Sequence, residues 1–157
     1  MTDLATARSD RAGGTAAAVA EAADARLTAA LRERGQRVTS QRLVIHRLLR
    51  ELDRHVTADE VLRRAGERLP NVSLPTVYAT LDLLTDLGLA RRVSVGGPVL
   101  YDPRPDDHAH VRCRACGRID DLDLTIDETA VIKAARAAGY APEGAELVVE
   151  GLCPSCS

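Results

Sequence analysis

A chain of 157 residues with 45% hydrophobic content can build one ordinary domain or two small ones, but without Phe or Trp its core must be aliphatic. No apolar run approaches the roughly 20 residues of a membrane helix, and the polar first residues lack the apolar stretch of a signal peptide, so we expect a cytoplasmic protein with reduced thiols. The net charge of −2 divides into a balance of +5 over residues 26–104 and −5 over residues 105–157, which indicates two modules, the first either near a polyanion or carrying a solvated Arg-rich helix face.

The first residues differ in pattern from those that follow. Residues 1–24 are rich in Ala, Asp, Thr and Gly, which predicts a disordered or loosely helical N-terminal tail. From Ala25 the pattern becomes helical, and Gly35 stands where a helix would end. Apolar residues within 40–52 recur on one helical face, which predicts a second helix with a buried side.

Two further helices have capping signals. Thr57-Ala-Asp-Glu60 has the sequence of a capping box, and apolar residues continue that helix inward. Ser73 can cap the next helix, which Gly88 ends. The predicted buried stripe of this last helix consists of Leu74, Val77, Leu81 and Leu84.

The hydrophobic period then changes from helical to β-type. Residues 89–95 and 99–101 are short β-type runs joined by Gly96-Gly97-Pro98, which is a hairpin signal. Helices followed by a hairpin that carries Arg91 and Arg92 have the order of a winged helix-turn-helix. We therefore predict an N-terminal winged-helix DNA-binding domain over residues 25–102.

The helix that follows Ser73 presents polar side chains away from its apolar stripe. These are Ser73, Thr76, Tyr78 and Thr80, with Ala79 among them. Short polar side chains and a Tyr suit contact with base edges, thymine methyl groups and phosphates. The same residues could equally form a solvated helix face.

The second module begins after a linker. Residues 103–109 contain two Pro and two Asp in a short polar stretch, which predicts a hinge. Residues 110–157 then read as a small α/β dimerisation unit, so the fold class is α+β. Its predicted elements are a strand (110–114), a strand (118–124), a helix (127–138) and a strand (146–152).

All four cysteines occur in two CysXXCys pairs, Cys113 with Cys116 and Cys153 with Cys156. Two such knuckles supply four thiolates in a tetrahedron, which is the preferred coordination of zinc and leaves no open position. The sequence therefore predicts one structural Zn²⁺ per chain. Redox dithiols or disulfides are the alternative, although a thioredoxin-type site needs only one CysXXCys pair.

A second cluster of possible ligands lies immediately before the first knuckle. His108 and His110 are two residues apart, so in an extended segment both point to one side. Asp102 lies just upstream and Asp121 just downstream. Two His with carboxylates suit Fe(II), Mn(II) or Zn(II). An HisXHis pair in a polar linker can also occur by chance.

Five motifs in order resemble the ferric uptake regulator family, over about residues 37–156. They are Arg37-Val-Thr-Ser-Gln-Arg42, His55-Val-Thr-Ala-Asp-Glu-Val61, Ser73-Leu-Pro-Thr-Val-Tyr78-Ala-Thr-Leu81, Asp107-His-Ala-His-Val-Arg-Cys-Arg-Ala-Cys-Gly117 and Gly151-Leu-Cys-Pro-Ser-Cys156. The resemblance implies a winged helix followed by a dimerisation domain. It also implies a homodimer that binds a palindromic double-stranded DNA operator as a metal-dependent transcriptional repressor.

The resemblance further implies a regulatory metal, one per chain, held between the two domains. Carried over position by position, its ligands are His55, Asp102, His108, His110 and Asp121. Metal occupancy would then fix the angle between the two winged helices of a dimer so that both reach successive major grooves.

The ligand types point to one branch of that family. Iron-sensing members commonly have Glu at the two carboxylate positions, whereas peroxide-sensing members have Asp, as here in Asp102 and Asp121. In that branch Fe(II) reacts with hydrogen peroxide and a ligating His is oxidised, which releases the repressor. The matching residues are His55 and His108. Mn(II) should maintain repression without sensing, and the alternative is a regulator that responds to iron, manganese or zinc supply without His oxidation.

The family pattern also implies DNA contacts and has departures. Arg37 matches a basic residue that reaches the minor groove, Tyr78 could pack a thymine methyl group, and Arg91 and Arg92 could contact phosphates from the wing. Ala79 stands where iron-sensing members often have Arg, so their operator sequence should not be transferred. An extra His-rich metal site of some members is missing, and His46 is assigned no role.

Two other functional classes remain as alternatives. Two His and a carboxylate with open positions also describe non-haem iron oxygenases, but the sequence predicts too few strands for their β-rich pocket and contains no Gly-rich phosphate loop. A zinc-bearing scaffold with no DNA role is the other alternative. We therefore expect a DNA-binding regulator and not an enzyme.

Overall fold

The computed structural model describes residues 16–94, 96–124 and 128–157. Ten elements follow one another as predicted for an α+β chain, with helices and a hairpin first and a small α/β unit second. Within the described ranges, no helix is long and apolar enough to cross a bilayer. The elements are α1 Ala16–Glu33, α2 Ser40–Leu52, α3 Ala58–Ala65, α4 Leu74–Asp86, β1 Arg91–Val93, β2 Leu100–Asp102, β3 Ala109–Cys113, β4 Ile119–Leu122, α5 Glu128–Ala137 and β5 Val148–Gly151.

Helix α1 begins nine residues earlier than the sequence pattern indicated. Residues 16–24, predicted to be part of a disordered tail, are helical, and residues 1–15 of that tail lie outside the described part. The segment is rich in Ala, the strongest helix former. Ala23 is buried, and Asp24 forms an ion pair with Arg47 of α2. Packing and charge pairing against α2 thus support a helix that local composition alone left ambiguous.

Side-chain caps define the starts of α2, α3 and α4. The hydroxyls of Thr39, Thr57 and Ser73 accept hydrogen bonds from the backbone N–H groups three residues later. The predicted caps at Thr57 and Ser73 are therefore confirmed. The Glu60 side chain forms an ion pair with Arg54. The starts of these helices are thus fixed by local chemistry.

The core lies in the N-terminal unit and is aliphatic, as the composition required. Its single aromatic member among the described residues is Tyr101, which is 1% exposed and attaches the hairpin to the helices. The largest aliphatic side chains in this core are Leu27, Leu31, Ile45, Leu49, Val56, Val61, Val77, Leu81 and Leu84. Helices α1 to α4 and the hairpin therefore form one hydrophobic unit.

The wing is a short antiparallel hairpin of β1 and β2. Each strand has three residues. The first is shorter than the predicted run 89–95, and the second has the predicted length but begins one residue later, while Val95 lies outside the described part. An isolated antiparallel bridge joins Tyr101 to Val56, with N···O distances of 3.1 and 2.8 Å. Because Val56 follows His55 and Tyr101 precedes Asp102, this bridge brings those two candidate ligands together.

The C-terminal unit has a three-stranded sheet in the order β4-β3-β5. Strand β3 pairs antiparallel with β4, which places His110 opposite Asp121. It pairs parallel with β5, which places Cys113 opposite Gly151, two residues before Cys153. The sheet register therefore assembles both predicted metal clusters. The predicted helix start at residue 127 lies outside the described part.

Candidate metal centres and DNA-binding face

The four cysteines meet at one end of the sheet. Their Sγ atoms all lie within 4.8 Å of one another, and the Sγ atoms of Cys116 and Cys153 are 3.8 Å apart. A tetrahedron with zinc–sulfur bonds of about 2.3 Å has sulfur–sulfur edges of about 3.8 Å. The two knuckles predicted from the sequence thus come together with the spacing of a closed tetrahedral site.

The electrostatics of the thiols show why this cluster suits a cation. Backbone N–H groups of Cys116 and Cys153 lower the pKa of Cys113 to about 6, and the Cys153 N–H lies 3.3 Å from the Cys113 Sγ. Hydrogen bonds with the Cys153 and Cys116 side chains raise the pKa of Cys156 to about 12. Four thiolates therefore cannot coexist here without a positive charge, and a soft all-sulfur set with no open position fits structural zinc.

The second cluster gathers all five residues that the family resemblance implied. His55, Asp102, His108, His110 and Asp121 each offer one ligand atom, and these atoms lie within 4.8 Å of one another. The Oδ2 atom of Asp102 lies 2.9 Å from the Nε2 atom of His108, 3.6 Å from that of His55 and 3.9 Å from that of His110. Ligand atoms around a first-row cation bound at about 2.1 Å are about 3 to 4 Å apart. The spacing therefore fits one ion.

Among the residues that the structure describes, most of these ligand atoms are buried and have no hydrogen-bond partner. They include the Nε2 atoms of His55, His108 and His110 and the Oδ2 atom of Asp102. Buried polar atoms almost always have partners, because an unsatisfied one costs about 1–3 kcal/mol. Four such atoms that face one another are the donor set of a cation, and His with carboxylate suits iron, manganese or zinc.

Neighbouring groups orient the imidazoles. The Nδ1–H of His108 donates to the carbonyl of Asp106 at 2.7 Å, which leaves Nε2 free to face the cluster. The Nδ1 atom of His110 lies 3.5 Å from the Glu146 carboxylate but makes no hydrogen bond to it. A hydrogen bond such as that of His108 fixes which ring nitrogen can bind a metal. Glu146 was not identified from the sequence, because it is distant in the chain from His110.

The protonation states in the cluster favour cation binding. Burial lowers the pKa of His55, so its imidazole is neutral at physiological pH. Burial would raise the pKa of Asp102, but the nearby His110 ring and the Arg104 backbone N–H hold it below its ordinary value. The cluster therefore offers a neutral imidazole and an ionised carboxylate, which are the forms that bind metal.

Arg104 links the hinge to the second unit and was not singled out from the sequence. Its guanidinium lies 2.7 Å from Asp106, 3.1 Å from Asp123 and 3.3 Å from Asp121. Its backbone N–H donates to the Oδ1 atom of Asp102 at 2.8 Å. Arg104 thus holds both carboxylates of the cluster. The only sign of this role in the sequence is its position two residues after the ligand Asp102.

The polar side of α4 lies at the surface of the first unit. Ser73 is exposed, Thr76 is half-buried and Tyr78 is 39% exposed. The hydroxyls of Ser73 and Thr76 lie 2.9 Å apart at the start of the helix. Thr80, predicted to lie on this polar side, is buried instead, and its hydroxyl donates to the Thr76 carbonyl at 2.8 Å. The exposed polar side of α4 therefore includes fewer residues than the sequence indicated.

The three candidate DNA-binding arginines have different surroundings. Arg37 and Arg92 are exposed. Arg91 turns toward the hinge, where its guanidinium lies 2.8 Å from the Asp107 carboxylate and 3.3 Å from the Asp106 carbonyl. Side chains alternate along a strand, so Arg91 and Arg92 point to opposite faces of the wing. Arg92 is the wing arginine that is free of the hinge in this arrangement.

His46 of α2, to which no role was assigned from the sequence, is buried in the first unit. It is 2% exposed and lines a cavity of about 300 Å³ between α1, α2 and the hinge. Among the described residues, its Nδ1 atom has no hydrogen-bond partner. Burial, with a smaller effect of the Arg50 charge, lowers the pKa of His46 to about 4. The residue is therefore a neutral core histidine that lies apart from both metal clusters.

Comparison with known proteins shows which family this chain resembles. Residues 33–150 match the Ferric uptake regulator family. Ferric uptake regulation protein 1 of Mycolicibacterium fortuitum is 38% identical over 123 residues, which are 77% of this chain and 76% of that protein. The peroxide operon regulator of Bacillus subtilis (strain 168) is 33% identical over 129 residues, 81% of this chain and 88% of that protein.

The fold and the two clusters agree with that match. A solved zinc uptake regulator complexed with zinc and DNA aligns with a TM-score of 0.71 at 25% identity, covering 90% of this chain and 95% of that chain. Four of the five motifs that suggested the family lie in the segments that build the two clusters and α4, and the first lies at the start of α2. The chain belongs to the ferric uptake regulator family of metal-responsive transcriptional regulators.

Proposed function

We propose that this chain is a metal-dependent repressor that binds a palindromic double-stranded DNA operator as a homodimer. One structural Zn²⁺ per chain would occupy Cys113, Cys116, Cys153 and Cys156. One regulatory Fe²⁺ or Mn²⁺ per chain would occupy His55, Asp102, His108, His110 and Asp121. The observation that carries the proposal is the second cluster, in which buried ligand atoms without hydrogen-bond partners come from three parts of the chain.

The position of these ligands explains how metal could control DNA binding. His55 and Asp102 belong to the winged-helix unit, His108 to the hinge, and His110 and Asp121 to the sheet of the second unit. A bound cation neutralises the two carboxylates and gives the imidazoles a shared partner. The five residues then hold the two units at one angle. Without that charge the carboxylates repel each other, and the units are free to separate.

The second unit has the surface of a dimerisation domain. Val131, Tyr140, Val149 and Leu152 are 45–74% exposed in the single chain. Exposed apolar residues on this scale mark an interaction surface, and a second copy related by a two-fold axis would cover them on both chains. Two winged helices related by that axis match a palindromic operator with half-sites one helical turn apart.

The domain assignments follow from this arrangement. Residues 25–102 form the DNA-binding domain, 103–109 the hinge and 110–157 the dimerisation and metal-binding domain. The first unit also includes the helical residues 16–24. The role is binding and not catalysis, and the site of action is the bacterial cytoplasm, where the operator DNA lies.

For DNA contact we propose the exposed side of α4 and two flanking regions. Ser73 and Thr76 lie at the N-terminus of α4, where helix N–H groups attract phosphate. Tyr78 is positioned for a thymine methyl group or a base edge. Arg37 would reach the minor groove and Arg92 a phosphate. Arg91 would contact phosphate only after leaving Asp107.

For the signal we propose hydrogen peroxide. Both carboxylates of the cluster are Asp, and the protein is similar to a peroxide operon regulator. A bound Fe(II) would catalyse the reaction, in which hydrogen peroxide would transfer one oxygen atom to a ligating imidazole of His55 or His108 and would itself be reduced to water. The oxidised ring would no longer complete the ligand set, so the two units would separate. The similarity to a ferric uptake regulation protein supports the alternative, a response to metal supply without oxidation.

The test is peptide mass spectrometry combined with DNA binding. The Fe(II)-loaded and Mn(II)-loaded protein is exposed briefly to peroxide, and operator binding is measured before and after by fluorescence anisotropy. One added oxygen on the His55 or His108 peptide, with loss of DNA binding only in the iron-loaded protein, is the expected result. His46, buried away from the cluster, is an internal control that should stay unmodified.

The other outcomes separate the alternatives. Unmodified His55 and His108 with metal-dependent DNA binding would identify a sensor of metal supply. Equal DNA affinity with and without iron, manganese or zinc would refute metal control. Failure to bind any family-type palindrome at moderate salt would favour the zinc scaffold without a DNA role.

A further inference from the structure

Tyr101 connects the candidate regulatory metal site to α4. It lies on β2 directly before Asp102, and its backbone N–H and C=O both pair with Val56, directly after His55. The two metal ligands of the first unit are thus held on either side of one backbone bridge. The Tyr101 side chain is 1% exposed, so it is fixed in the core.

The same residue reaches the helix proposed to read DNA. The phenolic hydroxyl of Tyr101 donates to the Oδ1 atom of Asp82 on α4 at 2.8 Å. Asp82 is exposed and lies four residues after Tyr78, so the two share one side of the helix, one turn apart. One side chain therefore spans from the strand that carries Asp102 to the outer side of α4.

We propose that the hydrogen bond between Tyr101 and Asp82 transmits regulatory-metal occupancy to α4, which makes Tyr101 a positioning residue for DNA binding. This inference rests on the proposed metal-dependent DNA binding. A displacement of Asp102 moves Tyr101 with it, because the two are consecutive residues of a three-residue strand. The hydroxyl passes this displacement to Asp82, and α4 changes its orientation with the strand. Without the hydroxyl, apolar packing still holds the helix, but the directional link is lost.

The test uses Tyr101→Phe, which removes only the hydroxyl. Operator affinity is measured with and without Mn(II), which avoids oxidation, and the ratio of the two dissociation constants reports the coupling. We expect this ratio to fall by about tenfold in the variant, within the usual range of coupling between sites. Calorimetry should show that the Mn(II) affinity of the free protein stays within about twofold. Thr85→Val, which removes a hydroxyl that donates to the Leu81 carbonyl within α4, is the control and should leave the ratio unchanged.

Two variants of Asp82 test the same hydrogen bond without changing Tyr101. Asp82→Asn keeps an oxygen acceptor and should preserve most of the ratio, whereas Asp82→Ala should lower it as Tyr101→Phe does. The double variant Tyr101→Phe/Asp82→Ala should lose no more than either single change, because both break the same bond. If Tyr101→Phe lowers stability, as thermal unfolding would reveal, Asp82→Ala alone decides the question.

The outcomes separate this inference from the function on which it rests. An unchanged ratio in Tyr101→Phe and Asp82→Ala, with a wild-type protein that responds to Mn(II), overturns the coupling role alone. An equal loss of DNA affinity with and without Mn(II) shows a structural role and also overturns it. A wild-type protein whose DNA affinity responds to no metal overturns the proposed function together with this inference.

Discussion

The two units of the chain are stabilised in different ways. Helices α1 to α4 and the wing enclose a continuous cluster of aliphatic side chains with Tyr101 at its edge. In the described part of residues 110–157, Cys113 is the one buried apolar residue, while Leu124, Val131 and Leu152 are more than half exposed. The first unit therefore has a core of its own, whereas the described part of the second buries too little apolar surface to form one.

Buried polar atoms without hydrogen-bond partners are distributed unevenly between the two units and the junction that joins them. Six buried side-chain nitrogen and oxygen atoms of the described residues have no hydrogen-bond partner, and five of them belong to the His and Asp cluster at the junction. The sixth is the Nδ1 atom of His46. Unsatisfied polar atoms are thus concentrated where a cation would act. The hydrophobic core and the candidate metal-binding cluster at the junction therefore lie in separate places in this molecule.

Removal of the proposed zinc should have the largest effect on this contrast. Structural zinc contributes on the order of 10 kcal/mol to small metal-binding units, so Cys113→Ser should unfold residues 110–157 and leave the helices of the first unit folded. Circular dichroism should show partial loss of structure, and size-exclusion chromatography should show loss of the dimer. Ser155→Ala, inside the second knuckle but not a ligand, is the control. A variant that keeps its dimer and its β-sheet would show that zinc does not hold this unit together.

A cavity created by substitution in the core of the first unit should have a smaller effect, confined to the stability of that unit. Leu49 is fully buried in the aliphatic core, so Leu49→Ala should lower the free energy of unfolding of this unit by about 2–5 kcal/mol. The matched change Leu124→Ala, at a Leu that is 53% exposed, should leave that free energy unchanged. Thermal unfolding followed by helical circular dichroism measures both. Equal destabilisation by the two variants would mean that the units share one cooperative core.

Much of this architecture could be predicted from local signals. The caps at Thr57 and Ser73, the bounds of α2 and the two CysXXCys pairs depend on residues only a few positions apart. The second metal cluster needed more, because His55 lies far from Asp121 in the chain and only the family motifs connected them. The structure brings all five residues together, although spacing alone identified only the part around His108 and His110.

The remaining features depend on packing between distant segments. Arg104 pairs with Asp121 and Asp123 only because the hinge lies against β4. Tyr101 meets Asp82 because the hairpin folds back onto α4. The Ala-rich residues 16–24 are helical because Ala23 and Asp24 contact the rest of the first unit. Hydrophobic period and capping chemistry carry no information on such pairs.

The first unit should also respond to acid through His46. Its pKa is about 4 in the folded chain and about 6.5 when unfolded, so the unfolded state binds more protons between these values. Above pH 6.5 this difference does not affect the free energy of unfolding. As the pH falls toward 4, the free energy of unfolding decreases by about 3 kcal/mol. In His46→Leu the free energy of unfolding should fall less over this range. Parallel pH profiles of variant and wild type would contradict a buried neutral His46.

The smallest effect we predict is at the cap of α3, which separates the stability of the first unit from metal binding. The Thr57 hydroxyl accepts a hydrogen bond from the Glu60 N–H at 3.2 Å. Thr57→Ala should therefore lower the free energy of unfolding of the first unit by about 1 kcal/mol, measured by urea titration, and Thr57→Ser should restore most of it.

The same variants test what positions His55. Because the cap lies two residues after His55, a shift in the start of α3 would also weaken Mn(II) binding. The backbone bridge between Val56 and Tyr101 fixes the chain before the cap, so we expect unchanged Mn(II) affinity in both variants. Weaker Mn(II) binding in Thr57→Ala alone would show that the helix start, and not the bridge, positions His55.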